Sequence, residues 1–318
     1  MPVRLLDHKP AAQDEEAEIL AGLSRIPKEI SPKFFYDDVG SGLFEQICEQ
    51  PEYYPTLTEI GIMREHVRDI AELIGPNASI IEFGSGASTK TRLLLEAVPE
   101  LAAYVPVDIS REHLLSAANA LAEEFPNIEI LPVCADFTKP FGLPTPRRTP
   151  ERNVVYFPGS TIGNFSNEQA IDLLRVMRAQ AKDDGALLIG VDLVKPKEIL
   201  DRAYNDSAGI TANFNLNLLA RMNREHGATF DTGEFEHLAF YDDENSRIEM
   251  RLISLEKQTV HVAGRPIAFE RDEYIVTEHS HKYTLDGFAA MAGEAGFSQQ
   301  ECWTDADQLF SVQFLVAA

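Results

Sequence analysis

Apolar positions recur along this chain with two different periods, and the change from one to the other divides it. Residues 78–83, 103–107, 128–133, 154–157 and 186–191 are short, largely apolar runs and read as strands. Between them, 90–97, 112–125 and 167–181 carry apolar side chains at the spacing of amphipathic helices, as does 59–74 ahead of the first run. Strands apolar on both faces that alternate with helices predict a parallel sheet covered on both sides, a doubly wound α/β domain.

After Lys195 the rhythm breaks. Residues 196–227 read as helical; alternation at 237–241 and 247–255, joined by the polar turn 242–246, and strand-like runs at 258–262 and 274–283 then predict an antiparallel sheet. Beyond it the first style returns, with a helix at 285–295, a turn at Gly296 and strand-like Cys302 and 310–316. Residues 197–283 are thus expected to be an insertion that packs with the N-terminal segment. That segment holds one amphipathic piece, 15–23, and a loop-rich stretch, 32–58, dense in Phe34, Phe35, Tyr36, Phe44, Tyr53 and Tyr54. So many rings need something to pack against or to bind.

Charge narrows the partners. The 318 residues hold 28 Lys plus Arg against 51 Asp plus Glu, a formal charge of −23, so the mean field repels nucleic acid and anionic membranes. The three cysteines form no CxxC pair, which supports neither a disulfide framework nor a cysteine zinc site. No apolar leader core and no run of about 18 apolar residues occurs, so a soluble, cytoplasmic monomer is expected.

The strongest local signal is Ile80-Ile81-Glu82-Phe83-Gly84-Ser85-Gly86-Ala87-Ser88, a buried strand opening through small residues into a helix. Glycine lets the backbone turn sharply and approach an adenosyl or dinucleotide group at the carboxyl edge of a parallel sheet. Asp108 ends the second strand, where an acid can accept both ribose hydroxyl protons; Asp136 follows the third, placed for an adenine amino group, with Phe137 as an apolar wall. Singly, each is equally a loop acid or a helix cap. Together at successive strand ends they point to a nucleoside. An acid just before the first glycine favours S-adenosylmethionine over a nicotinamide cofactor, since its carboxylate can orient the amino-acid end of the ligand.

Longer motifs are more specific. Residues 33–44 (KFFYDDVGSGLF), 51–56 (PEYYPT), 159–164 (GSTIGN), 192–195 (DLVK) and 277–280 (TEHS) resemble the histidine-specific S-adenosylmethionine-dependent methyltransferases of ergothioneine biosynthesis, from about Ile26 to the C-terminus. The resemblance implies a class I methyltransferase (Rossmann-like) sheet with an inserted α+β substrate-binding lobe. The expected boundaries are 1–59 for the N-terminal part of that lobe, 60–196 for the methyltransferase domain, 197–283 for the inserted lobe and 284–318 for the C-terminal part of the methyltransferase domain. The implied reaction is threefold methylation of the histidine α-amino group to hercynine. Matching the family's substrate pocket are Tyr36, Phe44, Tyr53, Asn164, Tyr204, Thr211, Met250, Glu278 and Ser280; matching its cofactor site are Gly84, Lys90, Asp108, Asp136, Gly159 and Ser160. His279, His281 and Arg251 look like departures or variable positions.

Methyl transfer from a sulfonium is an in-line displacement, so the acceptor nitrogen must carry a free lone pair. Tyr36 is the candidate beside the amine, orienting it rather than taking its proton, because a phenol with pKa near 10 is a weak base. The Asn164 amide offers an acceptor for an amine and donors for a carboxylate; its bland reading is a helix cap. Tyr204 is a second carboxylate donor or simply a partly buried helix residue. Period 2 puts Glu278, Ser280 and Lys282 on one strand face, where Glu278 and Ser280 can engage an imidazole. His279 and His281 share the other face, but no third metal ligand is evident and the chemistry needs none. Met250 on its own reads as core, and Phe44, Tyr53 and Tyr54 as core or as a wall beside a growing cation. Residue by residue, three alternatives stay open: another amino acid or amine as acceptor, a nicotinamide oxidoreductase, and a non-catalytic module.

Overall fold

A computed structural model describes residues 3–8, 12–85 and 89–318; Gly86, Ala87 and Ser88 of the glycine-rich turn lie outside the described residues. In chain order the elements are β1 (Leu6–Asp7), α1 (Ala12–Leu23), β2 (Lys28–Glu29), α2 (Asp38–Cys48), α3 (Tyr54–Ile74), β3 (Ser79–Phe83), α4 (Thr89–Ala97), β4 (Ala103–Asp108), α5 (Arg111–Glu124), β5 (Val133–Cys134), β6 (Asn153–Phe157), α6 (Asn167–Ala181) and β7 (Ala186–Asp192). Then come α7 (Lys197–Ala203), α8 (Ile210–Glu225), β8 (Phe235–Asp242), β9 (Arg247–Ser254), β10 (Gln258–Val262), β11 (Arg265–Phe269), β12 (Tyr274–His281), α9 (Leu285–Glu294), β13 (Phe297–Thr304) and β14 (Phe310–Ala317). The chain divides into two compact units, one of Met1–Pro10, Pro55–Val194 and Tyr283–Ala318, the other of Ala11–Tyr54 and Lys195–Lys282.

In the first unit the sheet order is β1-β5-β4-β3-β6-β7-β14-β13. Strands β1 and β3 to β7 run parallel, and β14 is antiparallel to both of its neighbours. Successive strand residues serve opposite faces: Ile81, Phe83, Val105 and Val155 enter one apolar cluster, Ile80, Tyr104 and Val154 another. That two-sided demand is why these strands are continuously apolar. Chain order reverses between β3 and β6, the crevice where such sheets take their ligands.

Three expectations change in this unit. Leu6–Asp7 pairs with Val133 and Cys134 at the sheet edge, so the first residues do not belong to the second lobe. The strand expected at 128–133 shrinks to β5, with one isolated bridge from Ile130 to Tyr104, because Pro132 brings no N–H to a ladder. The end of α3 nearest the N-terminus starts inside the stretch expected to be loop, at Tyr54.

The second unit holds a four-stranded sheet, β2-β12-β9-β8, antiparallel except that β2 runs parallel to β12. The run 258–262 does not join it; β10 pairs with β11 as a separate hairpin. The helical stretch after Pro196 is two helices, broken ahead of Gly209 (φ 72°), a left-handed position that ends helical continuity. Within the aromatic stretch α2 forms because Asp37 caps it, accepting the Gly40 N–H at 2.7 Å. A Cβ on Gly40 would sit 1.8 Å from the Phe35 carbonyl oxygen, so only glycine fits there. The rings then build the core, with Phe35 stacked on Phe214 at 4.4 Å. Among the described residues no helix is long and apolar enough to cross a membrane, and Cys48, Cys134 and Cys302 form no disulfide.

Candidate functional site

In the first unit, parallel register sets Gly84, Asp108 and Asp136 at or just past the carboxyl ends of the adjacent strands β3, β4 and β5. Gly84 has φ 71°, while a Cβ there would lie 3.7 Å from the Phe137 ring, an ordinary contact; backbone angle rather than crowding calls for glycine. Asp108 Oδ1 accepts the Ser110 N–H at 2.8 Å and so shapes the turn into α5. Asp136 accepts from the Thr138 N–H (3.1 Å) and hydroxyl (2.6 Å), with Lys139 3.4 Å away. Burial pushes the Asp136 carboxyl up, but these hydrogen bonds and the ammonium outweigh it, leaving it below the ordinary value. Phe137 packs on Phe83 (5.5 Å) and Phe157 (5.8 Å), the apolar wall the sequence suggests.

After β6 the backbone takes two left-handed residues in succession, Gly159 (φ 79°) and Ser160 (φ 55°). Ser160 is strained there and is held by its side chain, whose Oγ accepts the Asp192 N–H at 2.9 Å. Its hydroxyl is therefore committed to β7. Lys90 is likewise tied down, donating to Glu59 Oε2 at 2.5 Å. The same carboxylate accepts the Gly159 N–H at 2.9 Å and 3.1 Å.

Glu59 joins α3, α4 and the turn after β6, and the sequence reading missed it. Its signal was an acid on the buried stripe of α3 with Pro55, Ile62 and Met63, where a charge must find partners. Gly190 makes the space, since a Cβ there would fall 2.1 Å from Glu59 Oε1. Glu82 departs from expectation. Fully buried, it accepts from Thr91 Oγ1 (2.7 Å) and Tyr104 OH (2.6 Å), tying β3 to α4 and β4 rather than reaching toward a ligand. Burial pushes it up to about 7 against those two hydroxyls, and its Oε1 has no hydrogen-bond partner among the described residues.

Asn164 ends the 3₁₀ turn Thr161–Asn164. It is not the cap of α6: Ser166 takes that place, in a reciprocal box with Gln169. The Asn164 amide is not consumed by the helix.

In the second unit the rings form a chain of edge contacts. Tyr36 meets Phe44 at 5.8 Å, Phe44 meets Tyr53 at 6.3 Å and Tyr53 meets Tyr204 at 6.2 Å, with Phe214 of α8 against Tyr36 and Phe44. Thr211, buried one turn before Phe214 and Asn215, shares their helix face; its N–H is held by Asp206 Oδ1 at 2.7 Å. Tyr204 terminates α7, and its hydroxyl donates to Ser280 Oγ at 2.9 Å.

A β-bulge aims Glu278. Val276 pairs with Arg251 but Glu278 pairs with Met250, so Thr277 is the extra residue. Strict alternation would put Glu278 on the face of Val276; the bulge returns it to the face of Ile275, Ile248, Met250 and Leu252, the core side. Ser280 and Lys282 follow on that side, as expected, and are buried. Glu278 has no hydrogen bond to its carboxylate among the described residues. Burial pushes it up to about 7, opposed only by the Lys282 ammonium. Burial also drives the Tyr53 hydroxyl well above its usual range, helped by Tyr204, Cys48, Glu278 and Tyr36, which keeps it protonated. The result is a ring-lined floor with a buried hydroxyl and an unsatisfied carboxylate two residues apart. The opposite strand face holds Glu249, pulled down to about 2, first by His279 (3.2 Å) and further by Arg251 (2.6 Å).

Comparison with known proteins places these features in context. The family model described as histidine-specific methyltransferase, SAM-dependent, matches residues 15–317. A histidine N-alpha-methyltransferase of Mycolicibacterium smegmatis is 41% identical over 302 residues, spanning 93% of this chain and 92% of its own. One from Mycobacterium tuberculosis is 38% identical over 293 residues, 91% of this chain and 90% of its own. Ergothioneine biosynthesis protein 1 of Neurospora crassa is 30% identical over 285 residues, which is 87% of this chain but 32% of that protein.

Proposed function

Because the chain belongs to the S-adenosylmethionine-dependent, histidine-specific methyltransferases, we propose that it methylates the α-amino nitrogen of L-histidine three times, giving hercynine for ergothioneine biosynthesis. The observation that carries the acceptor is Glu278, a buried carboxylate pushed up to about 7 and lacking a hydrogen bond among the described residues, beside the Ser280 hydroxyl. An imidazole N–H supplies the donor that this acid lacks. A hydrocarbon ring leaves it unpaired, and a site built for such a bond rejects the analogue by about 10⁴- to 10⁵-fold.

The residues at the carboxyl edge of the first unit suit the methyl donor: a left-handed glycine for close backbone approach, Asp108 for a ribose, Asp136 with Phe137 for an adenine, and the left-handed turn of Gly159 and Ser160, which Glu59 braces together with Lys90. When bound, S-adenosylmethionine supplies an electrophilic methyl on a sulfonium. The chain's own part is to desolvate the amine and orient its lone pair, the proton released at each round passing to water. Tyr36 is assigned to orient the amine and the Asn164 amide to engage the amine and carboxylate of the amino acid; Tyr204, whose proton goes to Ser280, serves the ring-selecting side instead. The rings of Phe44 and Tyr53 stabilise the growing quaternary ammonium by about 0.5 to 2 kcal/mol. Three transfers exhaust the nitrogen's valence, so the reaction stops at the trimethyl product.

The test is incubation of the purified protein with isotope-labelled methyl donor and an equimolar mixture of amino acids. Label is expected in histidine alone, with a mass gain of three methyl groups. Preferential labelling of tryptophan, tyrosine or a simple amine would overturn the assignment of Glu278 and Ser280.

A further inference from the structure

Lys282 is a buried ammonium that the reaction itself does not require. Its Nζ donates to Ser280 Oγ at 2.8 Å and to Tyr204 OH at 3.2 Å, and lies 5.1 Å from the centre of the Tyr204 ring. Tyr204 OH also donates to Ser280 Oγ at 2.9 Å. A hydroxyl oxygen has two lone pairs and one proton. Ser280 thus accepts twice, from an ammonium and from a phenol, and its own proton is left to donate. Glu278, two residues earlier on the same face, is the reverse: ionised, it only accepts.

We propose that Lys282 is a positioning residue that sets this polarity, so that the selected ring must offer a bare nitrogen to Ser280 and an N–H to Glu278. A neutral azole has both on one ring. An imidazolium has no bare nitrogen, an indole or phenol no sp² nitrogen acceptor, and a hydrocarbon ring has neither group. The inference rests on the histidine reading above and deepens it: the enzyme takes its amino acid with the side chain in one uncharged tautomer.

Among the described residues two groups act on or beside Glu278: Lys282, which follows it in the chain, and Tyr53, from the segment before α3, whose hydroxyl is in turn neighboured by Tyr204, Cys48 and Tyr36. His281 and Arg247 lie on the other side of the sheet, and Arg247 pairs with Glu249 at 2.9 Å. Lys282 is the only one of these whose charge favours ionised Glu278.

Replacing Lys282→Met therefore has a signature that a packing defect lacks. KM for histidine is expected to rise about tenfold with kcat changed less than about threefold, since ring binding weakens while the reacting end is untouched. The acidic limb of kcat/KM is expected to move up by about one pH unit, because Glu278 ionises later without the ammonium. S-adenosylhomocysteine binding, measured by calorimetry, stays at the unaltered protein's value and reports that the variant is folded. Lys282→Gln keeps an amide donor at nearly the same reach but no charge; its limb moves as in Lys282→Met while KM rises less. An unmoved limb, an unchanged KM, or failure of both variants to bind S-adenosylhomocysteine would each overturn the proposal, the last by making Lys282 a structural residue. Failure of the histidine reading looks different: the unaltered protein then leaves histidine unmethylated.

Discussion

Glu82 and Glu278 are both buried carboxylates pushed up to about 7, one in each unit, and they differ in what surrounds them. Glu82 accepts two hydroxyls, from Thr91 and Tyr104, that fasten β3 to its neighbours. Glu278 has no such bonds among the described residues and is offset only by an ammonium, Lys282. Burial raises both alike, so a displaced pKa does not by itself mark a reacting or recognising group. The distinction lies in whether the fold already fills an acceptor position: Glu82 Oε2 takes both hydroxyls while its Oε1 takes none, and neither Glu278 oxygen takes any among the described residues. The partly filled acid serves the fold; the unfilled one is left to a donor from outside.

The largest expected effect tests the unfilled acid. Glu278→Ala should lower kcat/KM for histidine by roughly 10²- to 10³-fold, while calorimetric affinity for S-adenosylhomocysteine stays within about threefold. In the unaltered protein kcat/KM for histidine should fall below about 7, as the carboxylate protonates, whereas in Glu278→Gln only the limb set by the substrate's own imidazole, near about 6.5, should remain. Equal loss of cofactor and histidine binding in Glu278→Ala would erase the contrast between the two acids.

The partly filled acid should report in stability instead. Its folded pKa of about 7 lies above the ordinary 4.5, so its stabilising contribution is complete below about 4.5 and is lost as pH rises through about 7. That amounts to an order of 3 kcal/mol. Glu82→Gln removes the titration, so urea unfolding should show the variant gaining on the unaltered protein between pH 4.5 and 8, with KM for histidine unmoved. A histidine KM defect in Glu82→Gln would place the two acids in one functional class.

A smaller effect is expected at Glu59. Glu59→Gln weakens its bond to Lys90 while keeping an acceptor for the Gly159 N–H, and should reduce S-adenosylhomocysteine affinity about tenfold, the scale of one charge-assisted hydrogen bond. The smallest effect separates Asn164 from its neighbour: Ser166→Ala should cost about 1 kcal/mol of stability through lost capping, with steady-state kinetics unchanged, whereas Asn164→Ala should impair turnover without a comparable stability loss.

Much of this was legible in the residues. The doubly wound sheet followed from continuous apolar strands between amphipathic helices, and the motifs around Tyr36, Asn164 and Glu278 marked the family. The stretch 32–58 was less legible: it read as loop-rich, whereas Gly40 sits in a capped helix where the Phe35 carbonyl leaves no room for a side chain. The role of Glu82 was misjudged for a related reason. Its place before Gly84 suggested a ligand contact, and only the fold brings Tyr104, 22 residues away, to its carboxylate.

Local pattern determined most of the strands and helices, though not α2 or the shortness of β5, because burial on one face or two is written in the spacing of apolar residues. Tertiary structure decided which polar groups are spent on one another. Glu59 meets Lys90 across 31 residues and Gly159 across 100, Tyr204 meets Ser280 across 76, and the bulge at Thr277 exists only against the register of β9. Such pairings depend on where distant segments come to rest, and a hydrogen bond leaves no period in the sequence by which to foresee it.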